Sequence, residues 1–332
     1  MKKEKILFVV ASGSGGHILP ALVLAKKWKK KNHGKVIFFT GKKKLDQNLL
    51  KNEKIIDKRI NLSLNKFPGK KIWLYPIFSM QFGLCFIKSF FYSYKYKPNK
   101  TITTGGYLSI PVCFATKIFK SFIEIYELNV IPGKAIKFIS FLANKIAIVF
   151  EESKKYFNKY SDKLVLTKYP LRYSKRDKIF DKNKLINKIN KEYNVIFDFN
   201  KKTIFLLGGS QGSLFLNNYL KNWLNENKNI LNQIQIIHQT GSNDKTDWKT
   251  FYKKLNIQAI VFSYKQDLKD FYLLADQVLT RAGAGTLFEL EFFEKKSIIF
   301  PLIAKTTNHQ KDNAKIMLKR NSKIFFIKNS FI

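Results

Sequence analysis

Three glycine-rich turns are the first features of this chain that could do chemistry. Residues 12–17 (Ser-Gly-Ser-Gly-Gly-His) follow a short apolar run and precede a predicted helix. Residues 208–212 stand in the same context later in the chain, and residues 104–107 end another apolar run. Glycine lets the backbone approach a ligand closely, and a helix N-terminus offers unpaired N–H groups and a positive dipole end. Any one of them is equally well explained as a tight strand-to-helix turn, but three in one chain predict two phosphate-bearing ligands.

The spacing of these glycines differs from two common phosphate-binding loops. A dinucleotide fingerprint would need a third glycine at position 18, where the chain has Ile18, and the Walker spacing is also missing. A nicotinamide oxidoreductase is therefore disfavoured.

Histidine is scarce, and one of the four histidines stands directly after the first glycine turn. An imidazole at that place, His17, is suited to act as a general base, although helix capping or packing would also explain it. The His, Cys and acidic residues show no metal-ligand spacing and no Asp-x-Asp pair. We therefore expect neither a metal nor a cofactor, and a transferase that stabilises a leaving diphosphate with helix dipoles and side chains.

A fourth segment, residues 281–289 (Arg-Ala-Gly-Ala-Gly-Thr-Leu-Phe-Glu), suits a nucleoside. Small residues lead from a predicted strand into a helix, and Glu289 stands inside that helix. Its carboxylate can accept hydrogen bonds from both ribose hydroxyls. An ordinary helix acid near the N-terminus, favoured by the helix dipole, is the alternative interpretation.

The elements that must position these residues alternate short apolar runs with longer helical stretches, which is typical of βαβ units and parallel sheets. Strands are predicted at residues 6–10, 36–39, 101–103, 123–126, 146–150, 163–166, 203–207, 234–238, 259–262, 277–279 and 297–300. A strand-poor stretch, residues 171–194, separates the two sets. We therefore predict an α/β protein with two Rossmann-like domains, residues 1–166 and 167–332, whose parallel sheets face each other across a cleft.

Composition restricts the class of protein further. Of the 332 residues, 45% are hydrophobic and 15% aromatic, as in a globular protein. Two cysteines cannot build a disulfide framework, which indicates a reducing compartment, the cytoplasm. The net charge of +38 comes almost entirely from lysine, whereas nucleic-acid contacts favour arginine. We attribute this charge to genome bias and solvated surface, with attraction to anionic lipid as its functional share, and expect no nucleic-acid partner.

Six motifs, taken together, resemble the MurG family of bacterial glycosyltransferases. The segments and the family patterns that they resemble are residues 12–22 (GGTGGHxxPAL), 104–111 (GGYxSxP), 208–217 (GGSQGAxxLN), 238–241 (HQTG), 281–289 (RAGAxTxxE) and 309–314 (HQxxNA). Their order and spacing extend over essentially the whole chain.

The resemblance implies a GT-B fold and an inverting transfer of N-acetylglucosamine. The donor would be UDP-N-acetylglucosamine, and the acceptor the muramic acid 4-hydroxyl of undecaprenyl-linked lipid I, so that lipid II is formed. By motif match the catalytic base would be His17, and the residues at the acceptor diphosphate would be Ser14, Gly15, Gly16 and Tyr107. The implied donor-binding residues are Ser210, Gln211 and Arg172 for the diphosphate, Thr286 and Glu289 for the nucleoside, and Asn129, His309, Gln310 and Asn313 for the sugar hydroxyls.

The chain departs from the family pattern at Ser12 and Ser14 of the first loop, at Gly285, at two further motifs and at its C-terminal end. The family's HEQN reads Tyr-Glu-Leu-Asn at residues 126–129, and its GNPVR reads Lys-Tyr-Pro-Leu-Arg at residues 168–172. The family's last helices are expected to be missing after Phe326. A GT-B transferase with another lipid acceptor, a UDP-sugar epimerase of the same fold and a catalytically degraded, membrane-bound relative therefore remain alternatives.

The longest apolar stretch, residues 72–94, predicts a contact with a membrane. Its length approaches a membrane span, but Pro76 and Lys88 interrupt it. The lysines that flank it, as a headgroup-facing surface would require, are Lys70, Lys71, Lys95, Lys97 and Lys100. We expect a peripheral enzyme on the cytoplasmic face of the plasma membrane. A buried amphipathic helix that packs on the sheet is the alternative.

Overall fold

A computed structural model describes residues 4–209, 211–302 and 309–327. The chain divides into two compact units, Met1–Arg172 and Tyr173–Ile332. Each unit is built on a parallel sheet with helical crossovers, which confirms the predicted α/β class. The MurG resemblance further implies that residues 1–166 form the acceptor domain and residues 167–332 the UDP-sugar-binding domain, and this assignment stays a prediction.

The first unit holds a seven-stranded sheet in the order β3-β2-β1-β4-β5-β6-β7. Its strands are β1 (Ile6–Val10), β2 (Lys35–Gly41), β3 (Lys58–Leu62), β4 (Lys100–Thr103), β5 (Phe122–Glu127), β6 (Lys145–Ile148) and β7 (Leu164–Leu166). Its helices are α1 (Gly15–Asn32), α2 (Lys44–Leu50), α3 (Tyr75–Tyr96), α4 (Ser109–Ile118) and α5 (Lys134–Ile139). All neighbouring strands pair in parallel, so all carboxyl ends meet at one edge.

The second unit holds a six-stranded parallel sheet in the order β10-β9-β8-β11-β12-β13. Its strands are β8 (Lys202–Leu207), β9 (Ile234–Gln239), β10 (Ala259–Phe262), β11 (Gln277–Thr280), β12 (Lys296–Ile299) and β13 (Phe325–Ile327). Its helices are α6 (Lys182–Tyr193), α7 (Leu214–Glu226), α8 (Trp248–Lys254), α9 (Lys269–Leu274), α10 (Ala284–Phe293) and α11 (His309–Arg320).

Every predicted strand is present, but the sequence-based prediction missed β3 and β13. Strand β3 lies at the edge of its sheet and reads Lys-Arg-Ile-Asn-Leu, with only Ile60 and Leu62 buried. Strand β13 has three residues, of which Phe325 alone is buried. Edge strands that are exposed on one side carry too few apolar residues for a local pattern to reveal them.

The central strands are apolar throughout because helices cover both faces of each sheet. Leu7 to Val10 of β1 are completely buried, and the ring of Phe8 lies 4.9 Å from that of Phe39 on β2. In the second unit Phe205 of β8 packs on the rings of Phe271 and Tyr272. These buried strands give the loops at their carboxyl ends a rigid base.

The strand order determines which loops share a site. In an open parallel sheet, ligands bind at the carboxyl ends where the strand order reverses. That point lies between β1 and β4 in the first unit and between β8 and β11 in the second. The first and third glycine turns follow β1 and β4, and the second glycine turn and residues 281–289 follow β8 and β11. Each sheet therefore carries two of the four predicted segments at its switch point.

Candidate functional site

The first glycine turn connects β1 to α1, and Ser14 is the N-cap residue of that helix. Ser14 is extended (φ −161°), and its side chain makes no capping hydrogen bond. Gly13 has φ +88°, in the left-handed region that favours glycine. The N–H groups of Gly15 and Gly16 have no partner within the helix, because they belong to its first turn. The turn therefore has the geometry of an anion site at a helix N-terminus.

His17 is held by the turn after β4. Its Nδ1 lies 2.7 Å from the carbonyl oxygen of Thr104, and the Thr104 hydroxyl donates to the carbonyl of His17 at 2.9 Å. A carbonyl only accepts hydrogen bonds, so the neutral imidazole carries its proton on Nδ1 and its lone pair on Nε2. The structure thus gives His17 the tautomer that a general base acting through Nε2 requires.

Two glycines bring the third turn close to the first. A Cβ atom on Gly105 would lie 3.3 Å from Cε1 of His17, and one on Gly106 would lie 3.2 Å from Oγ of Ser12. Tyr107 follows directly and is half-buried. The predicted base and the predicted acceptor residues therefore share one edge of the first sheet.

The backbone of the second glycine turn lies in close contact with the residues that follow β9. A Cβ atom on Gly212 would lie 2.4 Å from the Cα atom of Gly241, and both glycines have positive φ. The turn leads into α7, where the N-cap Ser213 accepts a hydrogen bond from the backbone of Leu216. Gln211 is exposed beside it, whereas Ser210 lies outside the described residues.

A buried polar network joins α7, the helix that follows this turn, to β9 and the residues after it. The amide of Asn217 donates to Thr240 O (2.9 Å) and Asp244 Oδ2 (2.6 Å), and its oxygen lies 3.1 Å from Nε2 of His238. The hydroxyl of Tyr252 lies 2.9 Å from Nδ1 of His238. Burial lowers the pKa of His238 to about 3, so this histidine is neutral and structural.

Arg281 is a residue of this site that the sequence-based assignment of roles omitted. Its Nε donates to Oγ of Ser213 at 3.0 Å, and Nη1 donates to the carbonyl of Phe300 at 3.2 Å. Its guanidinium also lies over the ring of Phe215. Arg281 thus joins the end of β11 to the start of α7. Its position at the head of the segment 281–289 was the available signal.

Glu289 and Thr286 both lie on α10. Glu289 is buried, and its Oε2 accepts a hydrogen bond from Tyr272 at 2.9 Å, which orients the carboxylate. Thr286 lies in the first turn of this helix and is half-buried.

Three further donor candidates lie on α11. His309 is half-buried, and burial lowers its pKa. Oε1 of Gln310 accepts a hydrogen bond from the backbone of Leu302 at 3.0 Å. Asn313 is completely buried. The side chain of Gln310 therefore holds the backbone at Leu302, and that of Asn313 lies in the interior of the second unit.

Comparison with known proteins identifies the family. Residues 7–148 match the glycosyltransferase family 28 N-terminal domain, and residues 203–330 match the family 28 C-terminal domain. A relative from Prochlorococcus marinus (strain AS9601), named UDP-N-acetylglucosamine--N-acetylmuramyl-(pentapeptide) pyrophosphoryl-undecaprenol N-acetylglucosamine transferase, is 32% identical over 99% of this chain and 84% of its own length. The chain belongs to the MurG family of glycosyltransferases. A relative of the same name from Thermosipho africanus (strain TCF52B) is 33% identical over 93% of this chain and 83% of its own length.

Solved structures agree on the fold. The crystal structure of Acinetobacter baumannii MurG matches with a TM-score of 0.67 at 21% identity, over 97% of this chain and 86% of that protein. The structure of Phytolacca americana UGT2 in complex with UDP-2-fluoroglucose and pterostilbene matches with a TM-score of 0.66 at 13% identity, over 100% and 87%. The GT-B fold predicted from the MurG resemblance is confirmed.

The two motifs that depart from the MurG pattern lie in the first unit, as do Asn129 and Arg172. The backbone N–H and side-chain amide of Asn129 donate to Oε1 of Glu127, at 2.8 and 3.2 Å. Burial raises the pKa of Glu127 to about 7. Tyr126, where the family has histidine, donates to the carboxylate of Glu124, and burial raises its pKa above the usual range. Tyr126 therefore stays protonated and cannot replace a histidine as a base. Arg172 is the half-buried last residue of the unit.

In residues 4–209, 211–302 and 309–327, no three acidic, histidine or cysteine side chains lie close enough together to hold a metal ion.

Helix α3 turns its apolar side outwards. The residues that it buries are Cys85, Ser89 and Ser93, and each serine hydroxyl donates to the carbonyl four residues earlier. Its exposed apolar side chains are Ile77, Met80, Leu84, Ile87, Phe90, Phe91 and Tyr94, and Ile72 and Trp73, which precede the helix, are exposed as well. In the described part of the chain, residues 72–96 are the one helical stretch that is long and apolar enough to cross a membrane. Only 11% of its most apolar window is buried, which excludes the alternative of a buried core helix.

Four of the five flanking lysines are exposed, and the fifth is not a headgroup-facing residue. Lys70, Lys71, Lys95 and Lys97 are exposed. Lys100 forms an ion pair with the buried carboxylate of Glu124. The prediction that Lys100 faces lipid headgroups is therefore wrong, because its ammonium group is paired with the carboxylate of Glu124 on the neighbouring strand.

Proposed function

We propose that this protein transfers N-acetylglucosamine, with inversion, from UDP-N-acetylglucosamine to the 4-hydroxyl of the muramic acid of lipid I, and so forms lipid II. The observation that carries this proposal is the 32% identity, over 99% of the chain, with a relative named for this transfer. The arrangement of the two switch points supports it, because each sheet presents a glycine-rich turn at a helix N-terminus, as a reaction between two diphosphate-bearing substrates requires.

His17 is the catalytic base of the proposed reaction. Its Nε2 lone pair takes the proton of the acceptor hydroxyl while the hydroxyl oxygen attacks the anomeric carbon of the donor sugar. The bond from that carbon to the diphosphate oxygen breaks, and UDP leaves with the electron pair. Ser14, Gly15, Gly16 and Tyr107 hold the diphosphate of the acceptor.

The departing UDP is stabilised by residues at the carboxyl ends of β8 and β11. The N-termini of α7 and α10 supply positive dipole ends at this edge. Ser210 and Gln211 contact the diphosphate, Thr286 and Glu289 contact the nucleoside, and His309, Gln310 and Asn313 contact the sugar. The donor-binding roles that the MurG resemblance implies for Arg172 and Asn129, which belong to the first unit, stay predictions. One oxygen of Glu289 is oriented by Tyr272, so the carboxylate meets the ribose with little loss of rotational freedom.

The acceptor is lipid-linked, and we propose that α3 and its lysines dock the enzyme on the cytoplasmic face of the plasma membrane as a peripheral protein. A helix that buries small polar residues and exposes aromatic and aliphatic ones has the reverse of the pattern expected for a surface in water. The exposed lysines at both ends of the helix match the charge of anionic headgroups.

The decisive experiment measures the transfer of labelled N-acetylglucosamine from UDP-N-acetylglucosamine to a soluble lipid I analogue, beside a diacylglycerol acceptor. We expect a glycosylated lipid I analogue and no diacylglycerol product. Product on diacylglycerol alone would instead establish another lipid acceptor, and conversion of the donor to its epimer without any acceptor would establish an epimerase. No turnover in any arm, with UDP still bound, would identify a degraded relative.

A further inference from the structure

The carboxylate of Asp46 is directed at the first glycine turn. Asp46 lies in the first turn of α2 and is only 1% exposed. The backbone N–H of Gly13 donates to both of its oxygens, at 3.0 Å to Oδ1 and 3.1 Å to Oδ2. Within the described residues no lysine or arginine pairs with it, although the chain carries 61 basic residues. Burying a carboxylate without a neighbouring cation costs folding free energy, so an aspartate at position 46 needs a structural or functional reason.

Capping of its own helix does not explain this carboxylate. The N-cap of α2 is Lys43, and no side chain caps it. Both Asp46 oxygens point instead to a backbone N–H 33 residues earlier in the chain. Hydrogen bonds from a backbone N–H to an ionised acceptor are among the stronger ones in proteins. The interaction therefore joins α2 to the glycine turn.

The surroundings of Asp46 keep it in place. A Cβ atom on Gly41 would lie 2.5 Å from Oδ2 of Asp46, so a side chain at residue 41 would displace the carboxylate. The next residue, Gln47, donates to the carbonyl of Gly41 at 2.6 Å and to the side chain of Asn61 at 3.0 Å. Helix α2 is thus fixed to the ends of β2 and β3, and Asp46 presents a rigid acceptor to the turn.

We propose that Asp46 is a positioning residue for the acceptor diphosphate, an inference that rests on the function proposed above. Asp46 occupies the N–H of Gly13 and places a negative charge on that side of the turn. An anion is therefore directed to the remaining donors, the N–H groups of Gly15 and Gly16 at the start of α1. This places the diphosphate at the end of the turn that carries His17.

The test separates acceptor binding from donor binding. In Asp46→Ala the KM for a soluble lipid I analogue is expected to rise about tenfold. The hydrogen bond between the N–H of Gly13 and the charged carboxylate, which directs the diphosphate to Gly15 and Gly16, is then lost. The dissociation constant of UDP, measured by calorimetry, is expected to stay unchanged because UDP binds the second unit. Asp46→Asn keeps one acceptor oxygen for Gly13 and should recover most of the acceptor affinity.

Asp57 provides a matched control in the same unit. Its Oδ2 also accepts from a backbone N–H, that of Val36, but at the amino ends of the strands. Asp57→Ala should lower the melting temperature and leave the acceptor KM unchanged. If the acceptor KM rose equally in both variants, or if donor and acceptor constants rose together in Asp46→Ala, Asp46 would be a stability residue only and the proposal would be refuted.

A second readout does not depend on turnover. Binding of inorganic pyrophosphate to the parent protein and to Asp46→Ala can be followed by the amide resonances of Gly13, Gly15 and Gly16. In the parent we expect shifts at Gly15 and Gly16 and none at Gly13, and in Asp46→Ala, where the N–H of Gly13 has lost its acceptor, a shift also at Gly13. Identical responses would overturn the positioning role. A parent that orders pyrophosphate in this way but transfers no sugar would refute the proposed function and leave the positioning role intact.

Discussion

Removal of the four exposed lysines around α3 is expected to release the protein from anionic membranes. The change is Lys70→Gln, Lys71→Gln, Lys95→Gln and Lys97→Gln in one variant. All four side chains are exposed and lie at the two ends of the outward-facing apolar helix. Lys100 is left in place, because its ion pair with Glu124 makes it part of the fold.

The size of the effect follows from the number of exposed charges. Each lysine near an anionic surface contributes about 1 kcal/mol of binding free energy, so four contribute about 4 kcal/mol. That free energy corresponds to roughly a thousandfold change in the partition coefficient. High salt should release the parent protein in the same way, because it screens these charges.

The assay is co-sedimentation with vesicles of neutral lipid alone and of neutral lipid mixed with anionic lipid. The matched control removes the same charge elsewhere, with Lys245, Lys249, Lys253 and Lys254 replaced by Gln; these exposed lysines lie on and near α8 in the second unit. We expect the control to bind anionic vesicles almost as tightly as the parent.

Two results would refute this reasoning. Equal loss of binding in the control would show that net charge alone, rather than the surface around α3, attracts the membrane. Equal binding of the parent to neutral and anionic vesicles, or no binding to either, would exclude an electrostatic contribution of these lysines.

The remaining predictions concern the two sheets separately. His17→Ala should lower the turnover number by about 10²–10⁴-fold and leave UDP affinity unchanged; unchanged turnover would remove His17 from the mechanism. Glu289→Ala should weaken UDP binding, measured by calorimetry, by about 1–3 kcal/mol, and equal affinity would exclude the ribose contact. EDTA should leave turnover intact, and strict dependence on a divalent ion would contradict the metal-independent mechanism. The pKa of His238 is held at about 3 by burial, below its ordinary 6.5, so its contribution to stability is complete above pH 6.5 and is lost as the pH falls towards 3. Urea unfolding should therefore show a loss of up to about 1.4 kcal/mol per pH unit in that window, and a smaller loss in His238→Asn; identical pH profiles would contradict the assignment.

The sequence alone predicted the features that depend on a single short segment of the chain, namely the glycine-rich turns and the buried strands. Glycines 13, 105, 106, 209, 212 and 241 all adopt positive φ. A residue without a side chain at such a place is a local requirement of the backbone, so it is visible as a pattern in the chain. The buried strands could be predicted from the sequence for a similar reason, because strands that are covered on both faces are continuously apolar.

Contacts between segments that are far apart in the chain could not be predicted from the sequence. Asp46 is one acid among 23 acidic residues, and only the pairing of β1 with β2 brings it to Gly13. The use of Lys100 within the sheet likewise depends on the pairing of β4 with β5, which places it beside Glu124. From the sequence, Lys100 was expected to face lipid headgroups, and no role was predicted for Asp46.

The orientation of α3 shows the same limit. Composition identified an apolar helix flanked by lysines, but it described a core helix and a membrane-facing helix equally well. The structure decided between them, because α3 buries the small side chains of Cys85, Ser89 and Ser93, packs Tyr92 and Tyr96 against the core of the first unit, and leaves most of its other large apolar side chains exposed. Residue types and their spacing are properties of a segment, whereas the face that a helix buries depends on the neighbours that the rest of the chain provides.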